Sequence, residues 1–386
     1  MASMIPFHPT PVAAQPDRLT RIGQARQAVL YGQPQCGTAL ALESWLERSW
    51  RRCLAQGHQP EHAPSFDRVP APALRRTLDD NRLLMQAARP VLEKLGRAIA
   101  DTRYFALLTN QHGVVIDVDG PIDRHDRRAE LITRLGTDLS EQQVGTTAIG
   151  VVLAELQPVW LHRGEHFFNA TSVYSCAGAP LFGPDGRCVG MLDLTGIDAL
   201  ERPELKHLVT QSARSIENAL ALSRPYSLLI RLNWPGRALG GDEDGLVCVD
   251  ADGCITGANP TARQMVPHLN AATSVVHCSD LFAMPFEMLF DAARQGALGQ
   301  QPPLDVPLWS GLRLLALPLA PGDTGMRGSA GRSNTDQRPL RDVEAALIRK
   351  AVEDARGNVV QAARALGISR ATVYRKLGQK SARKKL

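Results

Sequence analysis

The apolar positions of this chain change period along its length. Up to about residue 100 they recur at helical spacing. Glu43 to Gln56 carries Trp45, Leu46, Trp50, Cys53 and Leu54 on one recurring face, and residues 73 to 100 form a longer helical run, interrupted by Pro90 and closed near Asp101. From Thr102 the pattern becomes strand-like. Tyr104 to Thr109 reads as a strand, Asn110-Gln111-His112-Gly113 as a turn, and Val114 to Val118 as a second strand. Val144 to Leu156 predicts a helix and Pro158 to Leu161 a strand. Ala177 to Phe182 and Arg187 to Leu194 flank Gly183-Pro184-Asp185-Gly186, a hairpin signal, and Pro203 to Leu222 predicts a closing helix.

A second mixed segment follows. Gly245 to Asp250 and Cys254 to Gly257 read as strands around Ala251-Asp252-Gly253. Asn259-Pro260 opens a helix through Met265, Leu281 to Ala297 looks helical, and Leu304 to Leu319 supplies two apolar strands. Gly322 to Pro339 is rich in Gly, Ser, Asn and Asp and reads as a flexible linker. Leu340 to Ala355 predicts an amphipathic helix with Val343, Leu347 and Val352 on one side. The fold class expected is α+β and multidomain. A disordered lead (1–16) and a helical region (17–101) precede two sensor-like α+β domains (102–223 and 236–321). The linker (322–339), an all-α head (340–380) and a basic tail (381–386) complete the map.

The head carries the strongest chemical signal. Asn358 can cap a first helix on which Ala362, Ala363 and Leu366 share a face. Gly367 sits at a sharp turn, where glycine takes positive φ at little cost. Ile368 plugs the turn and Ser369 caps a second helix, packed back through Val373 and Leu377. Arg370, Thr372, Arg375 and Lys376 are left on the outer face, which suits a major groove. An ordinary helical hairpin is the plain alternative.

Charge points the same way. The chain is +5 overall, but residues 339 to 386 hold twelve basic and four acidic residues, a net +8, which leaves −3 for the rest. A basic module on a slightly acidic body is the footprint of a phosphate-backbone binder. The hydrophobic content of 44% is ordinary for globular proteins. No apolar run approaches the length of a membrane span, and residues 1 to 15 lack a secretory pattern. Seven cysteines form no CxxC pair and are expected as reduced thiols. The expected compartment is the cytoplasm, with no membrane association.

Several motifs resemble the acetoin-catabolism-type bacterial regulators. Leu46-Glu47-Arg48-Ser49-Trp50-Arg51-Arg52-Cys53, Gly145-Thr146-Thr147-Ala148-Ile149-Gly150, Gly164-Glu165-His166-Phe167 and Gly190-Met191-Leu192-Asp193-Leu194-Thr195-Gly196 resemble that family's amino-terminal region. The resemblance implies a GAF sensory domain there. Asp244 to Met265 looks like the start of a PAS domain, and the carboxy terminus resembles a Fis-type helix-turn-helix. Full-length relatives carry a sigma-54 ATPase module between sensor and head. This chain has no GxxxxGK[ST] loop, hence no cradle for nucleotide phosphates.

His162-Arg163-Gly164-Glu165-His166 fits H-x-x-E-H, which zinc peptidases use on a helix. Gly164 in mid-motif and the strand-like run before it argue for a loop contact, so no metal is expected. Cys176 and Cys188 read as structural thiols rather than a redox switch, because no basic cluster adjoins them. Trp160, His166, Phe167, Tyr174 and Cys176 are placed near a sensor pocket, with plain core as the alternative for Trp160 and Phe167. The reading is a transcriptional regulator, not an enzyme, with no cofactor. Its expected partners are double-stranded DNA, a small-molecule effector, a second copy as homodimer, and RNA polymerase or a full-length related regulator. The rivals are a GAF-type thiol redox enzyme or sensor, a metal hydrolase with a DNA tail, and an architectural DNA-bending protein.

Overall fold

The computed structural model describes residues 18–32, 43–271, 275–296 and 303–321, together with Val359 and Ala363. The chain divides into two compact units, Met1–Thr324 and Gly325–Leu386. The architecture is α+β and multidomain. The first unit holds two five-stranded sheets, antiparallel throughout.

The first sheet is built from β1 (Tyr104–Asn110), β2 (Val115–Asp119), β3 (Val159–His162), β4 (Tyr174–Phe182) and β5 (Cys188–Ile197), in the order β2-β1-β5-β4-β3. Helices cover both faces, so successive side chains bury alternately on each. On the front, Phe105, Leu107, Val159, Leu161, Tyr174, Cys176, Met191 and Ile197 form one core. On the back, Tyr104, Ala106, Leu108, Trp160, Ala177, Ala179, Leu192 and Leu194 form another.

The front is covered by α1 (Arg18–Leu30), α2 (Ser44–Ala55), α5 (Arg127–Thr133), α6 (Glu141–Val144) and α7 (Ala148–Glu155); α3 (Ala71–Asp80) and α4 (Arg82–Ala98) lead to the back, where α4 packs beside α8 (Leu205–Leu222). Two helix expectations for this first sheet domain need correction. The helical run near residue 81 breaks at Asn81, and α4 continues through Pro90. Val144 to Leu156 is not one helix. Gly145 adopts φ +64 and ends α6, and the Thr147 hydroxyl then accepts from Gly150 N at 3.3 Å to cap α7. A side chain at Gly145 would also strike the Phe168 ring.

The second sheet comprises β6 (Leu228–Asn233), β7 (Gly245–Val249), β8 (Ile255–Ala258), β9 (Leu304–Pro307) and β10 (Arg313–Leu319), in the order β8-β7-β6-β10-β9. Numbered from its own first strand it runs 3-2-1-5-4. That is the first sheet's 2-1-5-4-3 with the central strand moved from the end of the segment to its beginning. The central strand is β6, which precedes residue 236. One face packs on α9 (Pro260–Met265), α10 (His268–Ala271), α11 (Cys278–Leu281) and α12 (Glu287–Gly296). The expected single helix over 281–297 is thus α11 and α12 with a break at Phe282 to Phe286.

The two sheets share α8. Its residues Val209, Ala213, Ile216 and Leu220 lie on the back of the first sheet, and its end meets the second, where Cys248 Sγ donates to Ala221 O at 3.4 Å. The β4–β5 turn makes a further joint: Pro184 O accepts from Ala258 N at 3.0 Å and Arg263 Nη2 at 2.6 Å. In the second unit, Val359 and Ala363 are helical and Ala363 is buried.

Candidate functional site

A cavity of about 30 Å³ lies on the front of the first sheet. That is room for about two water molecules. Its floor is Leu107 from β1, Tyr174 and Cys176 from β4, and Asp193 and Thr195 from β5. Thr147 to Ile149, at the start of α7, close one side. Phe66, Ile132, Leu139, His166 and Thr171 close the rest. Most of this lining is apolar, as in small-molecule pockets generally.

A chain of polar contacts crosses the floor. Thr195 Oγ1 touches Asp193 Oδ2, Cys176 Sγ is 3.4 Å from Thr195 Oγ1, and His166 Nε2 is 3.5 Å from Cys176 Sγ. His166 Nδ1 is 2.9 Å from Arg163 O. A carbonyl only accepts, so Nδ1 carries the proton and Nε2 accepts from the thiol. Burial lowers the His166 pKa to about 4, so the ring stays neutral. Burial raises Asp193 to about 7, with the Thr195 hydrogen bond opposing it. Thr195 Oγ1 donates to Asp193 Oδ2, which is the bond that opposes the rise, and Cys176 donates to His166. Asp193 Oδ1 is fully buried and has no hydrogen-bond partner.

The cavity wall is tied to the amino-terminal helices. Trp50, fully buried, donates from Nε1 to Glu165 O at 2.9 Å, next to His166. Ser49 donates to Glu141 and lies 2.8 Å from the Thr146 hydroxyl, while Arg52 bridges Glu141 at 2.6 Å and Glu155 at 2.8 Å. Gly150 lets α7 lie against Glu141, whose Cβ would be 2.7 Å from an added Cβ. Arg26 donates to the carbonyls of Gly164, His166 and Phe167, and Arg18 pairs with the buried Glu165 at 2.8 Å. The two motifs at 46–53 and 145–150 are therefore halves of one clamp.

Of the five residues placed near a pocket from sequence, His166, Tyr174 and Cys176 line the cavity. Phe167 is fully buried in the same front core, edge-on to Phe168 at 5.2 Å between centroids. Trp160 faces the back core, stacked on His162. Asp193 and Thr195 were missed. Their signal was a lone acid in the apolar run Met191 to Leu194.

The H-x-x-E-H residues do not converge. His162 hydrogen-bonds Ser175 at 2.7 Å beside Trp160, Glu165 turns back to accept from His162 N at 2.6 Å, and His166 faces the cavity. Among the described residues no group of three candidate metal ligands occurs. Burial pushes the Cys176 thiol well above its ordinary value, opposite to what a nucleophilic thiolate needs. Asn358, Ser369, Arg370, Thr372, Arg375 and Lys376, the linker over 322–339 and the helix over 340–355 lie outside the described residues. No helix among the described residues is long and apolar enough to cross a membrane.

Residues 23–218 match the family described as MimR, N-terminal domain, and residues 339–379 match that described as bacterial regulatory protein, Fis family. The acetoin catabolism regulatory protein of Cupriavidus necator is 30% identical over 277 residues, covering 69% of this chain and 41% of that protein. The acetoin dehydrogenase operon transcriptional activator AcoR of Bacillus subtilis is 30% identical over 188 residues, covering 47% of this chain and 30% of that one. The chain thus spans less than half the length of these curated relatives. Among solved structures, the E. coli DhaR(N)–DhaL complex contains a chain matched at a TM-score of 0.45 with 15% identity, over 71% of this chain and 98% of that one.

Proposed function

The chain belongs to the MimR N-terminal domain family, and on that premise we propose that it is a DNA-binding transcriptional regulator that ties occupancy of the front-face cavity to the presentation of a Fis-type head. The observation that carries this reading is the pairing, in one chain, of the family match over 23–218 with the Fis-family match over 339–379. The first sheet domain is read as GAF-like over 102–223. The second is read as PAS-like over 236–321, with β6 added on its amino side.

The coupling route runs through shared elements. Asp193 and Thr195 lie on β5, and β5 leaves the turn whose Pro184 holds the second sheet domain. A change in the floor can therefore reach the second sheet along β4 and β5 and along α8. In the head, Asn358 and Ser369 cap the two helices, Arg370 reads base edges, and Thr372, Arg375 and Lys376 hold phosphates. Two heads are needed, because one short recognition helix makes few contacts, so the working form is a homodimer. RNA polymerase or a full-length related regulator is the onward partner. With no phosphate loop in the sequence, the protein acts without ATP hydrolysis and without catalysis.

Genome-wide DNA occupancy by the intact protein, with and without added small metabolites, tests this reading. Discrete sites whose occupancy responds to one metabolite are expected. Occupancy that is uniform, or that no metabolite changes, contradicts it.

A further inference from the structure

We propose that α1 is a latch on the front cavity: its Arg26 holds shut the wall that carries His166, and release of α1 opens that wall. The proposal rests on the sensor reading above and supplies the way in that this reading requires. At about 30 Å³ the cavity has room for about two waters and no organic effector, so one wall must give before the site can fill.

The walls differ in how they are held. The floor is sheet ladder, with β4 paired to β5 from Tyr174 to Phe182 and β1 to β5 from Tyr104 to Asn110. α7 is capped by Thr147 and tied through Glu155 to Arg52. His166 and Thr171 come instead from the connection over 163–173 between β3 and β4. It contains two short 3-10 turns, Arg163–Glu165 and Asn169–Thr171, and Arg163 sits at φ +49, a conformation costly for any residue but glycine.

Four consecutive carbonyls of that connection accept from side chains of the amino-terminal helices. Arg26 Nη1 donates to Gly164 O at 2.9 Å and His166 O at 2.6 Å, and its Nη2 to Phe167 O at 2.9 Å and Asn169 Oδ1 at 2.8 Å. Trp50 serves the fourth carbonyl, Glu165 O, and the Arg26 guanidinium lies 5.8 Å from the Trp50 ring centroid. One charged fork thus satisfies three carbonyls at once. Without it they need water, which draws the connection outward. α1 itself is lightly seated. It buries Ile22 and Ala25, whereas α2 buries Trp45, Leu46, Trp50 and Cys53, so less apolar surface meets water when α1 leaves than when α2 does. An added Cβ on Gly164 would stand 3.3 Å from Ile22 Cγ2 and 3.7 Å from Arg26 Cδ, so α1 lies directly on the wall.

The thiol of Cys176, buried on the cavity floor, reports an open wall through its rate of alkylation by iodoacetamide, read peptide by peptide in the full chain. Cys248 and Cys278, buried in the second sheet domain, are internal references. Arg26→Ala and Gly164→Val disturb the latch from its two sides. Each should speed Cys176 about tenfold or more, the ratio that one charge-assisted hydrogen bond supplies. The two reference thiols and the amide exchange of β1 should not change. In the wild type, the amides of α1 and of residues 163–171 should exchange faster than those of α7, and this decides the matter should neither variant fold. An unchanged Cys176 rate in the folded variants overturns the latch. So does a rise shared by Cys278 or the β1 amides, or an α7 that opens before α1. Such a failure leaves the sensor reading to its own occupancy experiment, whereas a working latch with no metabolite-dependent occupancy sinks the sensor reading alone.

Discussion

Asp193 and His166 stand at opposite ends of one chain of contacts through Thr195 and Cys176, and burial moves their pKa values in opposite senses. Asp193 rises from 3.8 to about 7, and His166 falls from 6.5 to about 4. A carboxyl raised on folding contributes stability that is complete below its unfolded pKa and is lost as pH climbs through the folded one. An imidazole lowered on folding contributes stability that is present above its unfolded pKa and is lost as pH falls through the folded one. Between about pH 4 and 6.5 the two slopes oppose each other.

Single variants should therefore tilt the profile in opposite directions. With Asp193→Asn, stability should rise more steeply with pH across that window than in the wild type. With His166→Asn it should fall with pH instead. Each tilt is expected to be on the order of 1–3 kcal/mol. Glu217, raised by burial to about 8, is common to all three proteins and cancels in the comparison. Denaturant midpoints from pH 4 to 7 read the effect, and three parallel profiles would show that neither group titrates as described.

Trp50 links the amino-terminal clamp to the cavity wall through one hydrogen bond. Trp50→Phe keeps most of the packing and strands the Glu165 carbonyl, at a cost of about 1–3 kcal/mol. Trp50→Ala also empties a large buried site, for about 3–5 kcal/mol. Gly150→Ala should act on the same joint by forcing α7 away from Glu141. Thermal unfolding of the three variants checks this. A Trp50→Phe protein as stable as the wild type would mean that the bond is not made in solution.

Asn259 is a hub between the two sheet domains. Its Oδ1 accepts from Leu246 N and Ala262 N, and its Nδ2 donates to Asn218 Oδ1 and Asp244 O, at 2.7 to 2.9 Å. Asn259→Asp keeps the cap of α9 but puts a buried carboxylate against two acceptors. It should cost about 2–4 kcal/mol, more than a surface cap substitution would. Calorimetry decides: Asn259→Asp indistinguishable from wild type would contradict the hub.

Much of this architecture was legible because its signals are local. Asp250 to Gly253 and Gly183 to Gly186 announce hairpins through turn chemistry, and Asn259-Pro260 announces a helix start. What was missed depends on tertiary context. Leu228 to Asn233 is a short run in which Arg231 and Asn233 interrupt the apolar residues, and although Pro235-Gly236 follows it, only its neighbours β7 and β10 make it a central strand. Pro90 read as a break, yet α4 carries it. On β3, both faces are buried, so hydrophobicity could not say that Trp160 points away from the cavity and Leu161 toward the front. Asp193 sits in a run whose other members are apolar, and its role is visible only once Thr195 and Cys176 are beside it.

Base reading by the carboxy-terminal head is the central step of the proposed function. Arg370 lies in the first turn of the expected recognition helix, where a bidentate contact to guanine is worth about 1–3 kcal/mol of discrimination. Lys376, a turn and a half further on, is assigned to phosphate. The most direct test is to select duplexes from a randomised pool with the intact protein, then to titrate wild type, Arg370→Ala and Lys376→Ala on the selected and a scrambled duplex at several salt concentrations. One enriched motif is expected, with half-sites about one helical turn apart. Arg370→Ala should lower the ratio of specific to scrambled affinity, and Lys376→Ala should weaken both alike and reduce the salt slope by about one. A pool that enriches no motif, or an Arg370→Ala protein that keeps the wild-type ratio, would contradict the account.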